Sequence, residues 1–160
     1  MNEQVQQLAL RIRNELTEVE RIIHRVEEGW LRAQQSEDDY YLDGVAMNLH
    51  GFYGGLERVF ERITGVLDGV RPTGQNWHQV LLKQMTEEIP GVRPAVISMA
   101  SHEKLNEYRA FRHLARNIYT FNLDPAKVKH LVVHASLHFV HIKAELLAFA
   151  DFLEQQALES

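Results

Sequence analysis

Arg109, Arg112, His113, Arg116, Asn117 and Tyr119 fall within eleven consecutive residues of a chain whose formal net charge is −5. At spacings of three and four residues, Arg109, Arg112, His113, Arg116 and Tyr119 share one broad helical face. Three guanidinium groups there would make a phosphate site, because each offers planar paired donors that match phosphate oxygens. The competing reading is a solvated face paired with Glu103, Glu107 or other acidic neighbours, the commoner outcome on a generic helix.

A second group is the histidine file His130, His134, His138 and His141, followed by Glu145. Positions four and eight apart share a helix face, so His134 and His138 could bind a transition metal if another helix supplied a third ligand. Glu57 and Glu61 are the carboxylates available for that role, but no motif spacing selects either, and we assign no metal. Hydrogen-bonding histidines at helix or subunit interfaces are the simpler reading. Tyr53 and Glu57 form a third group, four residues apart beside Gly54 and Gly55. A buried Glu57 is expected to neutralise an arginine of the Arg109 to Arg116 helix, in preference to acting as a general base. Trp77, His78, Leu81, Leu82 and Met85 read as core packing. There is no Ser-His-Asp order, phosphate-cradling glycine loop or dinucleotide fingerprint, and no cofactor is expected.

These groups need a scaffold, and composition bounds it. A chain of 160 residues fits one domain, here 1–160, and 45% hydrophobic with 24% charged residues is ordinary for a globular protein. Cysteine is absent, which excludes disulfides, thiolate-bound zinc and a cysteine nucleophile. The amphipathic start MNEQVQQLALRIRNE lacks a signal-peptide core, and no uninterrupted run of about 18 apolar residues follows. The expectation is a cytoplasmic protein with no membrane contact. A pI of about 6.0 argues against a general nucleic-acid coat, so any RNA contact would be local.

All four prolines, Pro72, Pro90, Pro94 and Pro125, lie in short polar or glycine-containing stretches, and between them apolar residues recur at spacings of three and four. One helix is predicted from about Asn2 to Gln35, with its stripe running from Val5 to Trp30. A second starts where Ser36 and Asp39 suggest a cap, carries Tyr41 through Leu67, and stops at Gly69 to Gly74. Gly51, Gly54 and Gly55 inside it each cost about 1 kcal/mol against alanine, so close helix approach is expected there. Asn76 is expected to cap a short third helix, WHQVLLKQMTEE, ahead of an ordered loop from Ile89 to Ser98. Ser101 is expected to cap a fourth helix reaching toward Asn122. Asp124 and Pro125 open a fifth that runs to about Gln156. No strand is predicted. The fold class is all-α: an up-down bundle of four long antiparallel helices with one additional short helix alongside, and a homodimer is expected.

The segments FRHLARNIYTF, MNLHGFYGGLERVFERI and NWHQVLLKQM together resemble HepT-like proteins of the HEPN superfamily, by motif from about Asp43 to Asp124 and by helix order over the whole chain. The resemblance implies a helical bundle, a homodimer, and a toxin-antitoxin pairing with a minimal nucleotidyltransferase antitoxin. It also implies metal-independent RNA cleavage, by attack of a 2′-hydroxyl on the adjacent phosphate. In active members an arginine, often followed by a polar residue, precedes a histidine by four to six residues on one helix. Arg116 and Asn117 match the opening of that pattern. Four intervening residues further lies Phe121, and no histidine follows until His130. The resemblance therefore places Arg116 at the centre of a modified site with Tyr119 or His113 as acid-base group, or else implies the fold without cleavage. Arg109, Arg112 and Asn117 would hold RNA phosphates, and Glu57 and Tyr53 would support them.

Overall fold

A computed structural model describes residues 2–117 and 123–159, leaving out the side chains of residues 39 and 113–117. It contains α1 (Asn2–Ser36), α2 (Asp39–Ile63), α3 (Trp77–Gln84), α4 (Met99–Asn117) and α5 (Pro125–Glu159). A π-helical turn, Thr64–Asp68, extends α2 and closes where Gly69 turns left-handed at φ 75° and its N–H reaches Thr64 O at 3.1 Å. No strand forms among the described residues; Ile89 and Arg93 make an isolated bridge. The predicted up-down bundle is observed, with the short α3 set beside α2 and α4.

Direction follows from the cross-helix pairs. Arg58 of α2 meets Glu15 while Gly51 faces Ile22, and Lys143 of α5 meets Glu20 while Asp151 meets Arg13 at 2.6 Å, so α2 and α5 both run antiparallel to α1. Tyr108 on α4 donates its hydroxyl to Leu131 O on α5 at 2.8 Å, while Ser101 reaches Glu145 further along, which makes that pair antiparallel too. Each apolar stripe turns inward. Leu8, Ile12, Leu16, Val19 and Val26 of α1, Leu49, Phe52, Leu56, Phe60 and Ile63 of α2, and Val128, Ala135, Phe139, Ile142 and Leu146 of α5 are buried in one continuous core. At about 1.5–3 kcal/mol per buried large side chain, this core is the main term that offsets chain ordering.

The helix starts differ in detail from expectation. Asp38, rather than the Ser36 and Asp39 pair, caps α2 by accepting from Tyr40 N at 2.9 Å; the Ser36 hydroxyl donates to Arg32 O within α1. Ser98 caps α4 by accepting from Ser101 N at 3.1 Å, because the Ser101 hydroxyl is turned toward Glu145. Asn76 makes no side-chain cap bond, and α3 ends at Gln84, four residues short of the predicted Glu88. Asp124 does cap α5, accepting from Ala126 N at 3.0 Å beside Pro125. Of the three α2 glycines expected at a close approach, Gly55 alone is required by packing. A Cβ there would lie 2.7 Å from Val19 Cγ2, whereas Gly51 and Gly54 have no neighbour closer than 3.7 Å.

Two further features bear on function. The loop after α3 is held by Arg93, whose fully buried guanidinium meets both carboxylate oxygens of Asp68 at 2.7 and 2.8 Å and donates to Glu87 O and Pro94 O. α5 contains a window long and apolar enough by composition to cross a membrane, one third of it buried inside the protein. Its inward face builds the core, while Val133, Leu137 and Val140 point to solvent.

Candidate functional site

Glu57 is the centre of a polar cluster enclosed by α2, α3 and α4. It sits among Leu56, Phe60 and Tyr53 on the apolar stripe of α2, so its carboxylate is carried into the core by the same periodicity that buries them. An isolated carboxylate there would be untenable, and it is satisfied twice. Arg112 Nη1 donates to Glu57 Oε1, and His78 Nδ1 lies 2.8 Å from Glu57 Oε2. Arg112 Nε in turn lies 3.2 Å from His50 Nε2. Side-chain exposure is 3% for Glu57, 19% for Arg112 and 24% for His78, so the carboxylate is sealed while its two partners reach the surface.

The protonation pattern follows from these partners. An ionised Glu57 only accepts, so His78 carries its proton on Nδ1 and a neutral ring leaves Nε2 as an acceptor. Arg112 only donates, so His50 accepts through Nε2. Arg112 Nη2 has no hydrogen-bond partner among the described residues. Trp77 lies against the His78 ring with centroids 3.6 Å apart, limiting its rotation. The Tyr53 hydroxyl is buried without a partner among the described residues, and burial followed by the Glu57 charge pushes its pKa above the usual phenol value. The charges of Arg109 and Arg112 oppose that shift.

Of the residues singled out in the sequence, the structure joins Glu57 to Arg112, with Tyr53 buried one turn before Glu57 on α2; Arg109 instead donates to Asn106 at 2.8 Å. The expected Glu57 ion pair with an arginine of α4 is present, and that arginine is Arg112. Tyr119 lies outside the described residues, as do the side chains of His113, Arg116 and Asn117. His50 and His78 were missed. His78 had been assigned to core packing, yet its ring joins the carboxylate; the available signal was Glu57 itself, an acid inside an apolar stripe that must find partners.

The histidine file of α5 faces a different surface. His130 and His134 meet edge to face at 5.1 Å, His134 and His138 stack at 5.8 Å, and His130 Nε2 is 3.3 Å from Glu107. Glu145 lines the same hollow as His134, His138 and His141 but accepts from Ser98 N and the Ser101 hydroxyl. Among the described residues no three histidine, aspartate or glutamate side chains converge as a metal site.

A helical bundle with a buried carboxylate that holds an arginine and a histidine at one edge is a scaffold for polar chemistry on an α4 surface. A family model described as HepT-like protein matches residues 44–153. The chain belongs to the HepT-like family, within the HEPN superfamily. No curated protein and no solved structure is significantly similar to it.

Proposed function

We propose that this protein is a cytoplasmic HepT-like toxin-antitoxin component that cleaves RNA without a metal, at a site built on Glu57, Arg112 and His78. The observation that carries the reading is the single buried carboxylate shared by Arg112 and His78. A carboxylate that fixes one ring nitrogen leaves the other to act as a base, which is the usual way a histidine is prepared for proton transfer. In this scheme His78 Nε2 takes the proton of a 2′-hydroxyl, the 2′-oxygen attacks the adjacent phosphorus, and the P–O5′ bond breaks. The products are a 2′,3′-cyclic phosphate and a 5′-hydroxyl. Arg112 Nη2, Arg109 and Arg116 stabilise the charge that develops on the phosphate, with Asn117 as a further phosphate contact. His113 or Tyr119 delivers the proton to the leaving oxygen, and Tyr53 supports the arginines.

The family pattern is incomplete at Arg112 as it is at Arg116. Counting four intervening residues from Arg112 reaches Asn117, and from Arg116 reaches Phe121, so on either register the usual histidine position holds another residue. A histidine from α3 supplies what α4 lacks. The test is cleavage of a mixed-sequence RNA in EDTA. Arg112→Ala and His78→Gln should each lower the rate at least about 100-fold, the usual scale of a lost acid-base or oxyanion group; unchanged rates would remove these residues from the site.

A second reading is favoured by the ion pair itself. Glu57 neutralises Arg112, and a neutralised arginine suits a non-catalytic module that docks a minimal nucleotidyltransferase through the α4 face. Co-purification of such a partner without nuclease activity would select it.

The proposal includes a homodimer through α5. Val133, Leu137, Val140, Ala144 and Leu147 recur at alternating spacings of four and three, the seam of a paired helix. The first three are more than half exposed. Antiparallel pairing with a second copy sets Lys127 and Lys129 of one helix toward Asp151 and Glu154 of the other, carboxylates that within each copy already hold Arg13 of α1. Leu137→Lys should yield monomer in sedimentation analysis; an undisturbed dimer, or a monomeric wild type, would discard this interface.

A further inference from the structure

Away from the Glu57 cluster, three arginines converge where α1 begins and α2 ends. Arg11 of α1, Arg62 in the last turn of α2 and Arg71 of the following segment line one open hollow of about 360 Å³ with Gln4 and Gln7. Of the nine arginines elsewhere, Arg13, Arg21, Arg32, Arg58, Arg93 and Arg112 each lie within 4.0 Å of a carboxylate, and among the described residues Arg25 and Arg109 do not. Arg11, Arg62 and Arg71 make no ion pair among the described residues, although the chain carries an excess of acids. Three like charges from separate elements repel one another, and that cost is offset when an anion occupies the space between them.

The backbone makes room for this arrangement. Arg71 lays its guanidinium across Gly65 in the π-helical turn, where a Cβ would stand 2.6 Å from Nη2 and 3.3 Å from Nε. Gly65 thus admits Arg71 beside Arg62. The positive end of α1 lies at the same end of the bundle, and Gln4 and Gln7 add neutral hydrogen-bonding groups. Among the described residues no aromatic ring lines the hollow, so it offers no aromatic platform for a base.

We propose that Arg11, Arg62 and Arg71 form an auxiliary site for the phosphates of a single RNA strand, recognising the backbone without reading its sequence. Arginine forks match phosphate oxygens in pairs, and contacts of this kind position a strand without specifying it. The choice of RNA over free phosphate rests on the RNA-cleaving reading above; the phosphate chemistry does not.

The test is fluorescence anisotropy of the full chain with a fluorescein-labelled 12-nucleotide RNA carrying 2′-O-methyl groups, titrated with salt. Each phosphate contact to a single strand contributes about 0.7 to the slope of log K against log salt. Arg11→Gln/Arg62→Gln/Arg71→Gln should lower that slope by about 2, and Arg71→Gln alone by about 0.7. Arg112→Ala should leave this loss in place, because its contribution is separate. An unchanged slope and affinity in a folded triple variant would overturn the site, with folding checked by circular dichroism. Tight binding of inorganic pyrophosphate that depends on the three arginines, with RNA binding independent of them, would overturn the assignment to RNA. A protein that binds RNA through these arginines yet never cleaves it would support the site while defeating the catalytic reading alone.

Discussion

Replacing Glu57 by glutamine tests whether the buried carboxylate organises the cluster. The change keeps shape and volume but removes the charge that Arg112 and His78 share. Breaking a buried ion pair from one side costs about 3–5 kcal/mol, since the partner is left uncompensated. Arg112 keeps 19% of its side-chain exposure and a bond to His50, and glutamine still accepts one hydrogen bond, so the lower end applies: about 3 kcal/mol. For a domain of this size that corresponds to a fall of roughly 6–12 °C in melting temperature. Arg112→Met should cost about the same, because it strands Glu57 with His78 alone. The double variant should cost well under the sum, leaving a coupling energy of about 2 kcal/mol in a double-mutant cycle. Urea unfolding at pH 7 measures all four corners. Additivity within about 0.5 kcal/mol would refute the shared-carboxylate account.

Other outcomes follow from single contacts. Gly55→Ala should destabilise by about 1 kcal/mol, since overpacking against Val19 of about 2 kcal/mol exceeds the helix gain of about 1 kcal/mol; Gly54→Ala, with only Arg58 at 3.8 Å, should stabilise by up to about 1 kcal/mol in the same assay. Ser98→Ala should cost about 1 kcal/mol through loss of the α4 cap. Burial, followed by Lys104 and His134, holds the His138 pKa below its usual 6.5, with Glu107 opposing and His130 adding a smaller depression. The folded state therefore binds fewer protons than the unfolded chain, and the stability from neutral His138 is complete above pH 6.5 and lost as the pH falls through the folded value. Melting temperature should drop between pH 7 and 5, and His138→Gln should flatten that drop.

The helices were legible because each apolar stripe keeps its period for many turns; on α5 Val128, Leu131, Ala135, Phe139, Ile142, Leu146, Phe149 and Leu153 are all buried. Caps were less legible where two candidates lay close together: Ser98 and Ser101 are three residues apart, and only the pull of Glu145 on Ser101 decides between them. Glu57 could be paired with an arginine of α4 from its place on the stripe, but which arginine depends on how α4 is rotated, a property of packing. His50 and His78 joined the site across sequence separations of 62 and 21 residues, where helical periodicity carries no signal. Gly55 was separable from Gly54 only once Val19 was seen to approach it.

The chemistry of the new ends tests most directly the proposed cleavage of RNA by the carboxylate-held histidine and arginine. RNA incubated with the purified protein in EDTA should yield fragments ending in 2′,3′-cyclic phosphate and beginning with 5′-hydroxyl, resolved by mass spectrometry and absent with His78→Gln. Intact RNA at micromolar protein, or fragments with 5′-phosphate ends, would contradict it.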